Sequence, residues 1–507
     1  MLRALGNPQR LCDGLSRRDW LHIGGCGLAG LSVEQLLARS AQGARSAQGS
    51  SGAAADRSFG RAKNCIVLFL YGSPSQLETF DCKPHAAEEI RGTFGSIPSS
   101  LPGLDVCDLL PQMSKVMDKT TVVRSVTHSH PIHGVAWAMT GTATIDVGME
   151  LNPREERHHP YFASCVQYLD GQAGRTTPQG VLPNVALPFP FSSKRSDQPF
   201  RAGPYPSFLG GAYAPVWTEF VGEGTTVVRK ERDNGKFWFE GPEPYIGCTK
   251  DSHFRLASVD RHSDLALDRL DRRRSLLAQF DEVRRDLDRS DVGTALSAQQ
   301  AQAWSLLASP KVHQALDVRR EQAALRDRYG HTLFGQSCLA ARRLVEAGTR
   351  IVSVFWDEYG LAGDAWDTHF DHFARMKDQL CPGLDQAMYG LLTDLDDRGM
   401  LDDTLVVLIS EHGRSPKINK AVGGGRDHWS RAYSAVFAGG GTPRGSVVGA
   451  TDSIASDVTE RPISPKSLLA TMYHLLGINP HQNLVDSAGR EAPLLPEDGV
   501  IVPELLA

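Results

Sequence analysis

The sequence predicts an α/β protein built on a mostly parallel β-sheet that is flanked by helices. Hydrophobic residues make up 41% of its 507 residues and charged residues 22%, which is enough apolar material for a large core. Short apolar, β-branched runs recur between Gly, Asp or Ser residues, as buried parallel strands do. These runs are Cys65 to Leu70, Thr120 to Val126, Arg350 to Phe355, Thr404 to Ile409 and Tyr433 to Phe437. Helical patterns such as Leu384 to Arg398 lie between them, so ligand-binding groups are expected at the carboxyl ends of the strands.

The first part of the chain has the pattern of an export signal. Arg17 and Arg18 precede Trp20 and Leu21, and a Gly-rich apolar run follows from Ile23 to Val33, which is similar to a twin-arginine signal. The run is about half the ~20 residues that span a bilayer, so no integral membrane span is predicted. A surface helix, or lipid attachment at Cys26, are the alternatives.

Residues 38–58 are rich in Ala, Ser, Gly and Gln, a composition that favours an unfolded linker. We therefore predict a signal and linker over residues 1–58 and an α/β domain over residues 59–507. The expected partner is the twin-arginine export machinery, and the expected location is the periplasm or the outside of the cell.

Within this domain, the charged and Leu-rich residues 258–346 predict a helical insertion, and the Pro- and Gly-rich residues 170–250 predict long loops over one edge. Near the end, Ser464 and Pro465 predict the start of a helix that Gly477 can close.

Charge and cysteine usage exclude several classes of function. The net charge is −5 and the Lys and Arg residues are scattered, so the sequence predicts no nucleic-acid partner. The nine cysteines form no C-x-x-C pair and do not indicate a disulfide framework.

Three clusters of acids and histidines carry the chemistry. Each lies beside a predicted strand: Trp366-Asp367-Thr368-His369-Phe370-Asp371-His372, Ser410-Glu411-His412-Gly413-Arg414, and Gly425-Arg426-Asp427-His428-Trp429. Carboxylate and imidazole groups are natural ligands of zinc, manganese and iron. One such cluster alone is typical of a surface hydrogen bond, but three at strand ends predict a site for divalent metal ions.

The same motifs resemble a known superfamily. The run Leu384 to Arg414 is similar to the stretch of alkaline phosphatases and sulfatases in which a helix leads to a strand ending in Ser-Asp-His-Gly, with Glu411 here in place of Asp. A closer match is the exported family called domain of unknown function fifteen-oh-one. Its motifs are matched by Gly72-Ser73-Pro74-Ser75, Glu78-Thr79-Phe80-Asp81, Trp366 to His369, Arg414 to Asn419 and Gly425 to Trp429. This resemblance implies an alkaline-phosphatase-like fold.

It also implies one or two divalent metal ions, for which zinc, manganese, iron and calcium all remain open. The implied ligands are Asp367, His369 or His372, and His428 at one ion, and Glu411 and His412 at or bridging a second. Two ions would hold a phosphoryl or sulfuryl group between them. Arg414 and Arg426 are expected to bind the anionic oxygens of the substrate, unless they form ion pairs that order the loops.

The nucleophile is less well defined. In the superfamily it begins a helix about ten residues before a Thr-Gly pair, and Ser129 is the best candidate before Thr140-Gly141. The Cys-x-Pro-Ser-Arg motif that sulfatases convert to formylglycine is absent. The first strand also lacks an acid at its end, so Glu78 or Asp81 would have to reach back. The alternative is a one-metal site with water as nucleophile and His128 or His133 as general base.

The resemblance predicts an exported, metal-dependent hydrolase of phosphate or sulfate esters of small molecules or polysaccharides. A non-catalytic surface or binding protein that keeps the fold is the first alternative. An intracellular phosphomutase is the second, and it conflicts with the export signal.

Overall fold

The computed structural model describes residues 57–142, 146–152, 154–155, 157–196, 201–232, 235–256, 310–486, 489–495 and 499–507. The export signal and most of the linker predicted for residues 1–58 lie outside these ranges, as do residues 258–309 of the predicted helical insertion. The compact unit described below comprises Ser58–Ala507. In the described part of the chain, no helix combines the length and apolar character that crossing a bilayer requires.

One large sheet organises this unit. Its strands in the described residues are β1 (Asn64–Leu70), β2 (Thr120–Val126), β3 (Asn184–Leu187), β4 (Val216–Val221), β5 (His253–Leu256), β6 (Ile351–Trp356), β7 (Thr404–Ile409), β8 (Tyr433–Ala438) and β9 (Ser446–Val448). They lie in the order β9-β2-β8-β7-β1-β6-β3-β4-β5. The central strands β7, β1, β6, β3 and β4 run parallel, which confirms the predicted α/β class with a mostly parallel sheet.

All five predicted strands are present, and their bounds agree within one residue. The prediction of a parallel strand at Tyr433 to Phe437 was wrong, because β8 pairs antiparallel with both β7 and β2. Residues 410–432 connect β7 to β8 and reverse the direction of the chain, and the direction of a strand cannot be predicted from an apolar run alone.

Helices pack on this sheet. The described helices are α1 (Glu88–Arg91), α2 (Val135–Thr140), α3 (Val147–Glu150), α4 (Phe162–Gln172), α5 (Lys311–Leu316), α6 (Ala323–Tyr329), α7 (Leu333–Glu346), α8 (His372–Arg375), α9 (Cys381–Asp397) and α10 (Pro465–Leu475). Helix α9 includes most of the predicted helix Leu384 to Arg398. In α10, the Ser464 side chain accepts a hydrogen bond from the Ser467 N–H and Pro465 occupies the first turn, as predicted.

The described end of the predicted helical insertion contributes to the core. Helices α5, α6 and α7 fall within it, and α7 packs against α9, β6 and β1. Most of the side chains of α7 are buried. This part of the segment is therefore a layer that covers the sheet.

The segment predicted as long loops, residues 170–250, contains strands that extend the sheet. Strands β3 and β4 lie here, and β5 follows at the sheet edge. A two-stranded ribbon, Val227–Arg232 with Phe237–Pro242, also lies here. The remaining two-stranded ladders are Ser96–Pro98 with Asp105–Cys107, Gly413–Arg414 with His428–Trp429, Ala450–Thr451 with Val458–Glu460, and Asn483–Val485 with Glu491–Pro493.

The carboxyl ends of the three central strands are level with one another. Leu70 of β1 pairs with Trp356 of β6, and Phe69 pairs with Ile409 of β7. The residues that follow these strands, Tyr71-Gly72-Ser73, Asp357 onwards and Ser410-Glu411-His412, therefore emerge side by side at one edge of the sheet.

Gly72 is where these segments come closest together. Its φ of 96° lies in the region that favours glycine, and a Cβ on Gly72 would lie 2.4 Å from the backbone nitrogen of Asp367. Only a residue without a side chain fits there, because the obstructing atoms belong to backbone.

We expect Gly72→Ala to lower the free energy of unfolding by about 3 kcal/mol or more, because it adds a backbone clash to an unfavourable φ. Gly103→Ala is the control, since Gly103 has a φ of 85° but no atom within 4 Å of the added Cβ. It should cost about 1–2 kcal/mol. Chemical denaturation of both variants measures the difference, and equal losses would show that the contact with Asp367 is unimportant.

Candidate metal centre

The three acid and histidine clusters meet at the carboxyl edge of the sheet, together with His133 from the segment after β2. Two overlapping groups have potential ligand atoms within 4.8 Å of one another: His133, His412 and His428, and Asp367, His369 and His428. His428 belongs to both groups. These groups could hold a metal ion, as predicted from the sequence.

Local structure brings these groups together. The short ladder of Gly413–Arg414 with His428–Trp429 places His428 directly opposite Arg414. Gly425 lies against the backbone of His369, where a Cβ would be 1.8 Å from the carbonyl oxygen. The glycine-rich loop therefore lets His428 approach the Asp367 loop closely.

Asp367 is the centre of the electrostatic network. Its Oδ1 accepts a hydrogen bond from Arg414 at 2.5 Å and lies 3.0 Å from His369 Nε2 and 3.3 Å from His428 Nε2. Its Oδ2 lies 3.2 Å from His133 Nε2. Burial would raise the pKa of Asp367, but the charges of Arg414 and His133 outweigh burial and hold it well below its usual range. Asp367 is therefore a carboxylate at neutral pH.

His412 and His428 both present a ring nitrogen without its hydrogen. Nδ1 of His412 lies 2.8 Å from the Gly413 carbonyl, and Nδ1 of His428 lies 3.0 Å from the Pro131 carbonyl. A carbonyl only accepts, so each Nδ1 donates and each Nε2 is left with a lone pair in the neutral ring. Burial lowers the pKa of both imidazoles, which keeps them neutral.

These lone pairs fit a cation. Nε2 of His412 is buried and has no hydrogen-bond partner in the described residues, and Nε2 of neutral His428 faces the Asp367 carboxylate, acceptor against acceptor. A buried acceptor without a donor is unfavourable, and a cation among these atoms would satisfy both. The residues present therefore fit a divalent metal ion.

His133 lies between two carboxylates. Its Nδ1 is 2.7 Å from Glu411 Oε1 and its Nε2 is 3.2 Å from Asp367 Oδ2. Burial alone would lower the pKa of His133, but Asp367 and Glu411 together raise it to about 10. In the absence of a metal ion the ring is thus an imidazolium whose single positive charge lies between the two acids.

Of the two histidines that the sequence could not separate, His369 lies in a ligand group and His372 does not. His369 is partly exposed, and its Nδ1 lies 3.0 Å from Asp427 Oδ1. His372 is fully buried and faces the other way, with Nδ1 2.7 Å from Thr368 Oγ1 and Nε2 3.1 Å from Glu78 Oε2. The turn at Asp371, whose φ is 46°, separates the directions of the two rings.

Arg414 and Arg426, predicted to bind substrate, are both fully buried. Arg414 donates to Asp367 and to the carbonyls of Ser73, Gly72 and Arg426. Arg426 donates to Glu78 at 2.5 Å and to the carbonyls of Ile90, Ser415 and Pro416. These contacts favour the alternative interpretation, in which both arginines form ion pairs that order the loops.

The acids that would have to reach back to the first strand point elsewhere. Glu78 pairs with Arg426 and His372, and Asp81 pairs with Lys83 and lies near Arg124. Neither belongs to the two ligand groups. The polar residue that follows β1 at this edge of the sheet is instead Ser73. Its hydroxyl accepts a hydrogen bond from the His412 N–H at 3.2 Å.

The candidate nucleophile and one candidate base lie at the margin of the site. Ser129 is exposed, and its Oγ lies 3.0 Å from His130 Nδ1. His128 Nε2 lies 2.8 Å from the Glu411 carbonyl, and burial lowers the pKa of His128 to about 4. Helix α2 begins at Val135 with Gly134 before it, so its first turn offers no hydroxyl at the position expected of a nucleophile.

Sequence reasoning also missed contacts. It treated His133 only as a base, although His133 completes a group of three histidines. It did not single out Gly72 or Ser73 as parts of the site. The motif that contains both residues was a signal for them, since a Gly-Ser pair directly after a buried strand indicates a tight turn at the ligand edge.

The fold and these side chains define an α/β protein with a candidate metal centre at the carboxyl edge of its sheet. A family model described as "Protein of unknown function (DUF1501)" matches residues 62–506. The chain belongs to this family, which confirms the family predicted from the sequence motifs. No curated protein matches the chain.

Several solved structures are similar. The sulfatase PsFucS1 from Pseudoalteromonas sp. is 12% identical over 85% of this chain and 72% of that chain, with a TM-score of 0.37. The phosphonate monoester hydrolase of Agrobacterium radiobacter is 12% identical over 87% and 77%, with a TM-score of 0.32. The lipoteichoic acid synthase LtaP from Listeria monocytogenes is 11% identical over 86% and 77%, with a TM-score of 0.29. At such values these likenesses identify neither substrate nor reaction.

We expect His369→Gln to weaken metal binding and His372→Gln to leave it unchanged, because only the ring of His369 lies in a ligand group. Loss of a ligand should cost at least the ~10–100-fold that follows loss of an outer-shell partner. Titration of metal-free protein with zinc, followed by a competing chelator dye, measures both affinities. A larger loss in His372→Gln would reverse the assignment.

Proposed function

We propose that this protein is an exported, metal-dependent hydrolase of phosphate or sulfate esters of small molecules or polysaccharides. The observation that carries the proposal is that Asp367 and four histidines form two overlapping ligand groups that share His428, and that the buried Nε2 of His412 has no hydrogen-bond partner in the described residues. The motif resemblance to alkaline phosphatases and sulfatases supplies the reaction class.

The metal-holding residues in this proposal are Asp367, His369, His412, His428 and His133. One or two ions of zinc, manganese, iron or calcium would polarise the ester and lower the pKa of a bound water. Arg414 keeps Asp367 ionised and fixes its direction. Asp427 holds His369 through Nδ1, so that its Nε2 faces the site.

Water is favoured over a serine as the attacking group. Ser129 is exposed and directed to His130, and the first turn of α2 carries no hydroxyl. This supports the alternative of a metal site that activates water directly. His128, although close, uses Nε2 for the Glu411 carbonyl and Nδ1 to accept from the His130 N–H, which leaves it poorly placed as a general base.

A second candidate is a non-catalytic binding protein with the same fold. Its support is that both predicted substrate-binding arginines are turned into the protein and committed to carbonyl and carboxylate groups. The two candidates differ in whether the metal-loaded protein turns over an ester.

We expect Asp367→Ala and His428→Ala each to abolish ester hydrolysis and bound metal, because both residues contact the shared centre. Elemental mass spectrometry of untagged protein and a screen of phosphate and sulfate esters measure the two effects. His481→Ala, at an exposed histidine far along the chain, is the control and should change neither. Wild-type protein that binds metal without hydrolysing any ester would favour the binding protein. Turnover retained in both alanine variants would refute the site.

Export is tested separately. We expect replacement of Arg17 and Arg18 by Lys to leave the protein in the cytoplasmic fraction, because twin-arginine recognition distinguishes the guanidinium pair from a simple positive charge. Cell fractionation and immunoblotting measure the distribution against the wild-type chain. Unchanged export of the Lys-Lys variant would contradict the twin-arginine route.

A further inference from the structure

Glu411 occupies the position at which the superfamily resemblance implies a metal ligand, but its contacts describe another role. The carboxylate is fully buried. Its Oε1 accepts a hydrogen bond from the Gly72 N–H at 2.8 Å and lies 2.7 Å from His133 Nδ1. Its Oε2 lies 2.8 Å from the Ser410 hydroxyl, whose single hydrogen also faces the Leu70 carbonyl at 2.6 Å. Glu411 belongs to neither potential ligand group in the described residues.

These contacts fix which tautomer His133 adopts when its ring is neutral, as a metal ligand must be. An ionised carboxylate has no hydrogen to donate, so Nδ1 of His133 must donate to Glu411 at this distance. His133 belongs to the group with His412 and His428, and its other nitrogen, Nε2, lies 3.2 Å from Asp367 Oδ2. A carboxylate that holds one ring nitrogen of a metal-binding histidine is the outer-shell arrangement that orients the ring and raises its basicity.

The length of the side chain matters. The resemblance places Asp at this position in related proteins, and Glu is longer by one methylene. Glu411 follows β7, whereas His133 precedes helix α2, so the carboxylate bridges two separate segments. Its Oε1 accepts from both the Gly72 N–H and His133, which uses both lone pairs of that oxygen for the connection between these segments.

We propose that Glu411 is a positioning residue that orients His133, and that His133 rather than Glu411 is a metal ligand together with His412 and His428. This inference rests on the proposed function, because it assigns residues of the same centre. A centre with three imidazole ligands selects zinc over calcium, because imidazole suits zinc whereas calcium takes oxygen ligands.

A double-mutant cycle in zinc affinity tests this role. Glu411→Gln keeps the size and an acceptor oxygen but removes the charge, and it should weaken zinc binding about 10–100-fold with unchanged stoichiometry. In a His133→Ala background the same Glu411→Gln change should have no further effect, because Glu411 acts through His133. If Glu411 binds zinc directly, its effect persists in that background, and the proposal is overturned.

Glu78→Gln is the matched control, because Glu78 is also a fully buried glutamate that contacts a histidine, His372, outside both ligand groups. It should change the zinc affinity less than threefold. Circular dichroism tests whether each variant is folded. If Glu411→Gln does not fold, Glu411→Asp gives a second measurement, because it keeps the charge but shortens the side chain. It should also weaken zinc binding.

A spectroscopic measurement separates this role from a general loss of structure. In cobalt-substituted protein, Glu411→Gln should leave the number of ligands unchanged, whereas His133→Ala should alter the visible d–d bands. Equal zinc affinity of Glu411→Gln and wild type would overturn the inference while leaving the proposed function intact. Wild-type protein that binds no zinc or other divalent ion would instead refute the proposed function, and the assignment of His133 with it.

Discussion

The close approach of the backbone at Gly72 is the constraint on which the site depends. The Gly72 N–H donates to Glu411, its carbonyl accepts from Arg414, and its α-carbon leaves no space for a side chain against the Asp367 backbone. One residue thus connects the ends of β1 and β7 with the loop that carries Asp367. Because the atoms of Gly72 in these contacts are all backbone atoms, the three segments meet at a position that no side chain can occupy.

Buried charge is balanced around this point. Glu411 and Asp367 are both buried, and each would be costly to bury alone. Arg414 pairs with Asp367, and protonated His133 lies between the two acids, so two positive charges face two carboxylates. A second buried pair, Glu78 with Arg426, orders the glycine-rich loop that leads to His428. Arg414 and Arg426, which were predicted to bind substrate, therefore form buried ion pairs that order the loops of the site.

The sequence allowed the central sheet and the location of the site to be predicted, because both depend on local patterns. Apolar runs identified β1, β2, β6, β7 and β8, and acids and histidines directly after strands indicated the ligand edge. Strands β3 and β4 were missed because they lie in a segment rich in Pro and Gly, and β5 and β9 were missed because they are short. The choice between His369 and His372 could not be made, since it depends on the left-handed turn at Asp371. The environment of Arg426 depends on Glu78, 348 residues away in the chain, and no local pattern records it.

The absence of an acid directly after the first strand has a structural counterpart. Where the superfamily resemblance places an aspartate, this chain has Gly72 and Ser73. The Ser73 hydroxyl accepts a hydrogen bond from the backbone N–H of His412. In the proposed centre, His133 takes the place of the missing aspartate ligand. It lies in the segment after β2 and forms a ligand group with His412 and His428. Replacing a carboxylate by an imidazole removes one negative charge from the centre. A bound metal ion then retains more of its positive charge, which strengthens its attraction for an anionic ester and for hydroxide. In the proposed hydrolase, whose arginines are turned away from the site, this retained charge would attract the anionic ester.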